Sequence, residues 1–138
     1  MNEELVKDLL TKLGDEVAVV VPYATFGTDL DLSFYKQIHE SGIPVVFDAA
    51  PSFGTSGRSG SFGKNFPEPI IYCFHATKSF RIGEGGLVYS ADKDLISQIR
   101  QAGNFGFSTN RETISQGLNS KLSEYSLAVA LQLWMPLL

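Results

Sequence analysis

Three short apolar runs constrain the fold of this chain more than any other feature. They lie at residues 17–21, 43–47 and 70–74, each too short for a helix and rich in Val, Ile or aromatic residues. Val17, Val19, Val20 and Val21 stand before Pro22, with no polar alternation, which predicts a strand buried on both faces. Between the first two runs, Ser33 can cap a helix that reaches Ser41 and stops at Gly42. Strand, helix, strand is a crossover unit, and such units make parallel neighbours. The rest of the pattern agrees. Leu5, Leu9, Leu10 and Leu13 predict a helix over residues 2–13, ended by Gly14, and residues 87–90 predict a fourth, shorter strand. Asp92 can cap a helix through Ala102, residues 104–117 look irregular, and a last helix is expected over 121–134. Residues 51–69, with Gly54, Gly57, Gly60, Gly63 and Pro67, read as a long loop. The expectation is an α/β chain with a mostly parallel sheet and flanking helices.

Composition narrows the function classes. At 138 residues with a formal net charge of −4, the chain lacks the basic footprint of a nucleic-acid binder. No apolar run is long enough to span a bilayer, and the first residues, Asn2, Glu3 and Glu4, are polar and acidic where a signal peptide would be basic and then apolar. One cysteine, Cys73, cannot form an internal disulfide, which fits the cytoplasm. Two histidines and that cysteine show no metal-ligand spacing, so no metal is expected.

The chemistry concentrates at strand ends. Asp48 follows the second run directly. The third leads into Phe74-His75-Ala76-Thr77-Lys78 and then Gly83-Glu84-Gly85-Gly86. In open α/β sheets, ligands sit beyond the carboxyl ends of the strands. A lysine and an aspartate at two adjacent strand ends can face each other across one ligand. Pyridoxal phosphate (PLP) needs that pair: an amine for the Schiff base and a carboxylate to hold the pyridinium proton. Alone, each residue has a blander reading. Lys78 could be a solvated loop charge, Asp48 a turn former, His75 a hydrogen-bonded wall residue, Cys73 a small buried apolar group, Asn119 a cap for the last helix and His39 a surface residue.

Taken in order, four blocks resemble the nucleotide-sugar aminotransferases of the DegT/DnrJ/StrS type, which have the aspartate-aminotransferase (type I) PLP fold. They are residues 44–50 around Asp48; Gly60-Ser61-Phe62-Gly63; residues 74–78 with Gly83-Glu84-Gly85-Gly86; and Asn104-Phe105-Gly106-Phe107 leading to Gly117-Leu118-Asn119 and Leu122-Ser123-Glu124. The resemblance implies Lys78 as the catalytic, Schiff-base lysine that also moves a proton, and Asp48 as the partner of the pyridinium nitrogen. It places His75 beside the cofactor with no assigned step, Cys73 at a phosphate-binding position, and Asn119 reaching across a homodimer to the partner's phosphate. It implies an amino-acid donor and a nucleotide-linked keto sugar as substrates, in polysaccharide or antibiotic-sugar biosynthesis.

Three positions depart from the family pattern. Cys73 stands where a hydroxyl residue is common, Pro51 where a His or Gln contacts the ring hydroxyl, and Lys121 where arginine is usual. A dehydratase of the same family is disfavoured, since those enzymes carry histidine in place of Lys78. Family members are also more than twice as long, with an N-terminal phosphate-binding part and a C-terminal small domain. Residues 1–138 are therefore expected to be a single, partial PLP-binding large domain with uncovered sheet edges and apolar helix faces. The alternative is a catalytically incomplete member or fragment that acts only as a binding or interaction module.

Overall fold

The computed structural model describes residues 2–28, 30–57 and 60–135. The chain divides into two compact units, one of Met1–Cys73 with Gly86–Ala91 and one of Phe74–Gly85 with Asp92–Leu138. The first contains helices α1 (Glu3–Leu13) and α2 (Leu32–Glu40) and strands β1 (Phe47–Asp48), β2 (Ser56–Gly57), β3 (Gly60–Ser61), β4 (Ile70–Cys73) and β5 (Gly86–Tyr89). The second contains helices α3 (Lys93–Ala102) and α4 (Glu124–Trp134).

In the first unit the main sheet runs β1-β4-β5. β1 lies parallel to β4, with Asp48 opposite Ile71, and β5 lies antiparallel to β4, with Gly86 opposite Cys73. The sheet is therefore mixed: residues 74–85 return the chain to the neighbouring strand with no crossover helix between β4 and β5. The first apolar run joins on the other side of β1. Val20 N–H donates to the Pro44 carbonyl, Val46 N–H to Val20, Asp48 N–H to Pro22 and Ala24 N–H to Asp48, all within 2.9–3.0 Å, which is a parallel ladder. The crossover through α2 thus forms as the sequence predicts.

This run is not buried on both faces, however. Val20 is 8 % exposed, while Val19 and Val21 are 42 % and 51 % exposed. Within this unit one face of the segment is covered and the other is open, so the apolar pattern overstates its burial. The covered core centres on Phe47, which is fully buried. Tyr35, Phe62 and Phe66 turn their ring edges to it, at centroid distances of 5.0, 5.9 and 5.3 Å. Edge contacts of this kind add about 0.5–1.5 kcal/mol each beyond burial alone.

Helix boundaries follow capping chemistry. Asn2 Oδ1 accepts the Glu4 and Leu5 N–H groups, and Asp92 Oδ1 accepts those of Asp94 and Leu95. α2 is capped by Asp31, not Ser33, because the Asp31 carboxylate accepts the Ser33 N–H at 2.9 Å. The Ser33 side chain first, and that backbone hydrogen bond second, lower the Asp31 pKa. The 51–69 loop contains the small antiparallel pair β2–β3. His39 is half-buried, with Nδ1 2.9 Å from Glu68 Oε1, and is not a bare surface residue. In the second unit Phe74 and Phe80 are buried edge to face at 5.0 Å, and Phe80 meets Trp134 at 6.4 Å. α4 starts at Glu124, three residues later than the apolar pattern predicts, because Ser123 Oγ caps it by accepting the Ser126 N–H. Among the described residues no helix is long and apolar enough to cross a membrane.

Candidate active site

Asp48 occupies the last position of β1, at its carboxyl end. Its backbone is held on both sides: N–H and C=O bond to residues 22–24, and the following N–H, of Ala49, donates to Ile71 at 2.9 Å. The carboxylate is half-buried, and Oδ1 accepts the Ala50 N–H at 3.1 Å. An ionised carboxylate has further acceptor capacity, so Asp48 can take a proton-bearing ligand nitrogen as well. Cys73 ends β4 in the same unit and is half-buried, not buried. Ala24, whose N–H donates to the Asp48 carbonyl, leads into a tight turn before α2, Thr25–Gly27, in which Phe26 has φ 55° and is 90 % exposed.

The second unit holds Lys78. Residues 74–85 form a closed loop: Phe74 N–H donates to Gly85 at 2.8 Å, Ala76 N–H to Gly83 at 2.8 Å and Ile82 N–H to Phe74 at 3.0 Å. Within it the Lys78 N–H donates to the His75 carbonyl at 2.9 Å, a one-turn hairpin that presents the half-buried lysine. Gly85 makes this path possible. It has φ 142°, and a Cβ there would come within 2.7 Å of Leu122 Cδ1. The His75 ring lies beside the same turn. Its Nδ1 accepts the Thr77 N–H at 3.3 Å and stands 3.0 Å from Thr77 Oγ1, while its Nε2 stands 3.5 Å from Glu84 Oε1.

Asn119 lies elsewhere in this unit, exposed, in a β-bridge with Asn104. It does not cap α4, since Ser123 does. Lys121, at the departure from arginine, puts Nζ over the Phe105 ring at 4.7 Å. Asp48 and Cys73 thus share one unit, and His75, Lys78 and Asn119 the other. Thr77 and Glu84 carry no role in the sequence reading, although both sit inside its quoted motifs. The signal that could find Glu84 is a charged residue set between glycines, where the backbone must approach closely. Among the described residues no group of three or more His, Cys, Asp or Glu converges as a metal would require.

Comparison with known proteins defines the class. Residues 1–134 match the model of the DegT/DnrJ/EryC1/StrS aminotransferase family, and the chain belongs to that family. Protein Rv3402c of Mycobacterium tuberculosis is 34 % identical over 126 residues, covering 90 % of this chain and 31 % of the relative. The dTDP-4-amino-4,6-dideoxy-D-glucose transaminase of Shigella dysenteriae is 29 % identical over 117 residues, covering 84 % and 32 %. A crystal structure from Bacillus cereus, described as a PLP-dependent aminotransferase, superposes with a TM-score of 0.90 at 48 % identity, covering 95 % of this chain and 36 % of that one. The fold is that of the type I PLP-dependent aminotransferases. The chain spans about a third of the length of these relatives.

Proposed function

We propose that residues 1–138 are part of the PLP-binding large domain of a cytoplasmic aminotransferase that works as a homodimer. The activity proposed is transfer of an amino group from an amino acid to a keto sugar carried on a nucleotide, in polysaccharide or antibiotic-sugar biosynthesis. The observation that carries the reading is the placement of Asp48 on the last residue of β1, in register with β4, whose last residue, Cys73, precedes Lys78 by five positions. Family membership and the dTDP-sugar transaminase relative support the substrate class.

The residues fit PLP by the chemistry of their donors and acceptors. A half-buried carboxylate with spare acceptor capacity suits a protonated pyridine nitrogen, and a half-buried primary amine on a fixed turn suits an aldehyde. When bound, PLP supplies an electron sink that stabilises negative charge at the substrate carbon. Asp48 would hold a proton at the ring nitrogen through its carboxylate. Lys78 would hold PLP by its aldehyde group through Nζ, and its amine, once freed by the amino donor, would carry the proton at the reacting carbon. Cys73 Sγ, a weak donor, serves the phosphate less well than a hydroxyl would. Asn119 is exposed, as a side chain that reaches a partner protomer's phosphate must be.

The test is direct. The chain is incubated with PLP, treated with borohydride and digested, and a pyridoxyl adduct is sought on Lys78 by mass spectrometry. The expected result is labelling of Lys78 that Lys78→Ala abolishes; labelling spread evenly over the other lysines would refute the assignment. A second reading, an interaction module without catalysis, is favoured by one observation: no residue of the apolar helix α4 is buried. Labelling of Lys78 with transamination of an amino acid would exclude it.

A further inference from the structure

We propose that His75 and Glu84 form a positioning couple that fixes the turn carrying Lys78; the inference rests on the reading of Lys78 as the PLP-binding amine. A backbone N–H can only donate. The Thr77 N–H approaches His75 Nδ1 at 3.3 Å, and the Thr77 hydroxyl, which can donate or accept, stands 3.0 Å from it; the arrangement that satisfies both has a lone pair on Nδ1, and the proton of a neutral ring then sits on Nε2. That nitrogen faces Glu84 Oε1 at 3.5 Å, and a carboxylate can only accept. Glu84 therefore selects the tautomer that lets His75 receive the Thr77 amide.

The same histidine holds the next residue through its backbone, because its carbonyl accepts the Lys78 N–H at 2.9 Å. Two consecutive amides, those of Thr77 and Lys78, are thus tied to one residue, the first by its ring and the second by its carbonyl. The loop behind the couple is closed independently by the bonds of Phe74, Ala76 and Ile82. Glu84 is 85 % exposed, so the pair adds little to the stability of the fold. Its consequence is local: it sets the direction in which the chain enters Lys78. His75 is in this account a positioning residue that acts on the lysine through the backbone, with no proton transfer of its own.

The couple predicts an unusual rescue pattern. An asparagine at position 75 carries its Oδ1 near the place of Nδ1 and can accept the Thr77 N–H as an Asx turn, with no ring to reach Glu84. Three variants of the full chain, His75→Ala, His75→Asn and Glu84→Ala, are compared by two readouts. One is amide hydrogen exchange at Thr77 and Lys78, measured by NMR without cofactor. The other is the rate of borohydride-trapped labelling of Lys78 with PLP. His75→Ala should speed Thr77 exchange and slow labelling, each by about threefold or more. His75→Asn should return both to within about twofold of the parent. Glu84→Ala should fall between them, with the ring 15N shifts reporting a mixture of tautomers. The proposal is overturned if His75→Asn behaves like His75→Ala, or if His75→Ala leaves Thr77 exchange unchanged. If the parent chain takes no label while exchange follows the expected order, the PLP reading fails and the positioning couple stands.

Discussion

Adjacent residues in the turn beside Asp48 should respond to substitution with opposite signs. Phe26 and Gly27 both have left-handed backbones, with φ 55° and 70°. The Phe26 ring is 90 % exposed, so its removal takes away almost no packing. What it does remove is the clash between Cβ and backbone that makes this conformation cost about 1–2 kcal/mol for an L residue. Glycine recovers that cost and loses part of it again, roughly 0.5–1 kcal/mol, to the greater freedom of the unfolded chain. Phe26→Gly should therefore stabilise by about 0.5–1 kcal/mol. Gly27→Ala does the reverse. It introduces left-handed strain and sets a Cβ 3.3 Å from Thr55 Oγ1 and 3.4 Å from the Pro51 carbonyl oxygen, the second of which belongs to the backbone. A loss of about 1–2 kcal/mol is expected. Urea unfolding followed by circular dichroism reads both, with midpoints moving in opposite directions at constant slope. In a thermal scan 1 kcal/mol corresponds to about 3–4 °C for a chain of this size. If Phe26→Gly destabilised by 1 kcal/mol or more, the ring would have to be packed against something, and the strain argument would be refuted.

Other tests address the sheet and the site. Tyr72 is buried and donates to the Phe62 carbonyl at 3.2 Å; burial foremost, and Tyr89 second, push its hydroxyl up to about 12. The unfolded phenol ionises near pH 10, so the unfolded state binds fewer protons between about 10 and about 12 and stability must fall as pH rises through that window. Tyr72→Phe should lose about 1 kcal/mol near neutrality and show a shallower alkaline decline, measured by unfolding as a function of pH. Gly86→Ala would set a Cβ 2.7 Å from the Tyr72 carbonyl oxygen, inside the β4–β5 pairing. It should cost about 1–3 kcal/mol, and intact pairing by NMR at unchanged stability would contradict the geometry. Asp48→Asn can still accept the Ala50 N–H but has no charge for a pyridinium proton. It should leave stability within about 0.5 kcal/mol while weakening PLP retention, and retention equal to the parent's would remove Asp48 from the site.

The fold was legible where local chemistry decides and illegible where surroundings do. Asp92 caps the helix that follows it, as its sequence suggests, because a short polar side chain before an apolar repeat has few better partners than the next free amides; Asn2 does the same for α1, where the apolar repeat alone sets the start one residue early. Asp31 and Ser33 compete for the start of α2, and only the bond from the Ser33 N–H to the Asp31 carboxylate settles it, which spacing alone does not show. Likewise β4 and β5 read as strands, but their antiparallel pairing follows from the tight closure of residues 74–85, a property of Gly83 and Gly85 acting together.

The candidate site divides in the same way. Lys78 and Asp48 can be proposed from sequence because the roles proposed for them require an amine and a carboxylate, and residue type is what a sequence states. The supporting groups cannot, because their roles depend on which atom faces which. His75 could be a wall residue or a ligand contact until its two nitrogens are assigned, and Thr77 and Glu84 together make that assignment. α4 supplies the converse case. Its sequence, with Leu127, Val129, Leu131, Leu133 and Trp134, is apolar on all sides, and such a helix is expected in a core. It forms as a helix, yet none of its residues is buried, and Leu131 is 56 % exposed. The Ser123 cap and the hydrogen bonds within the segment set where the helix starts and that it is a helix, with Trp134 resting on Phe80 at its end. Burial needs partner surfaces, and those are not encoded in the segment that is to be buried.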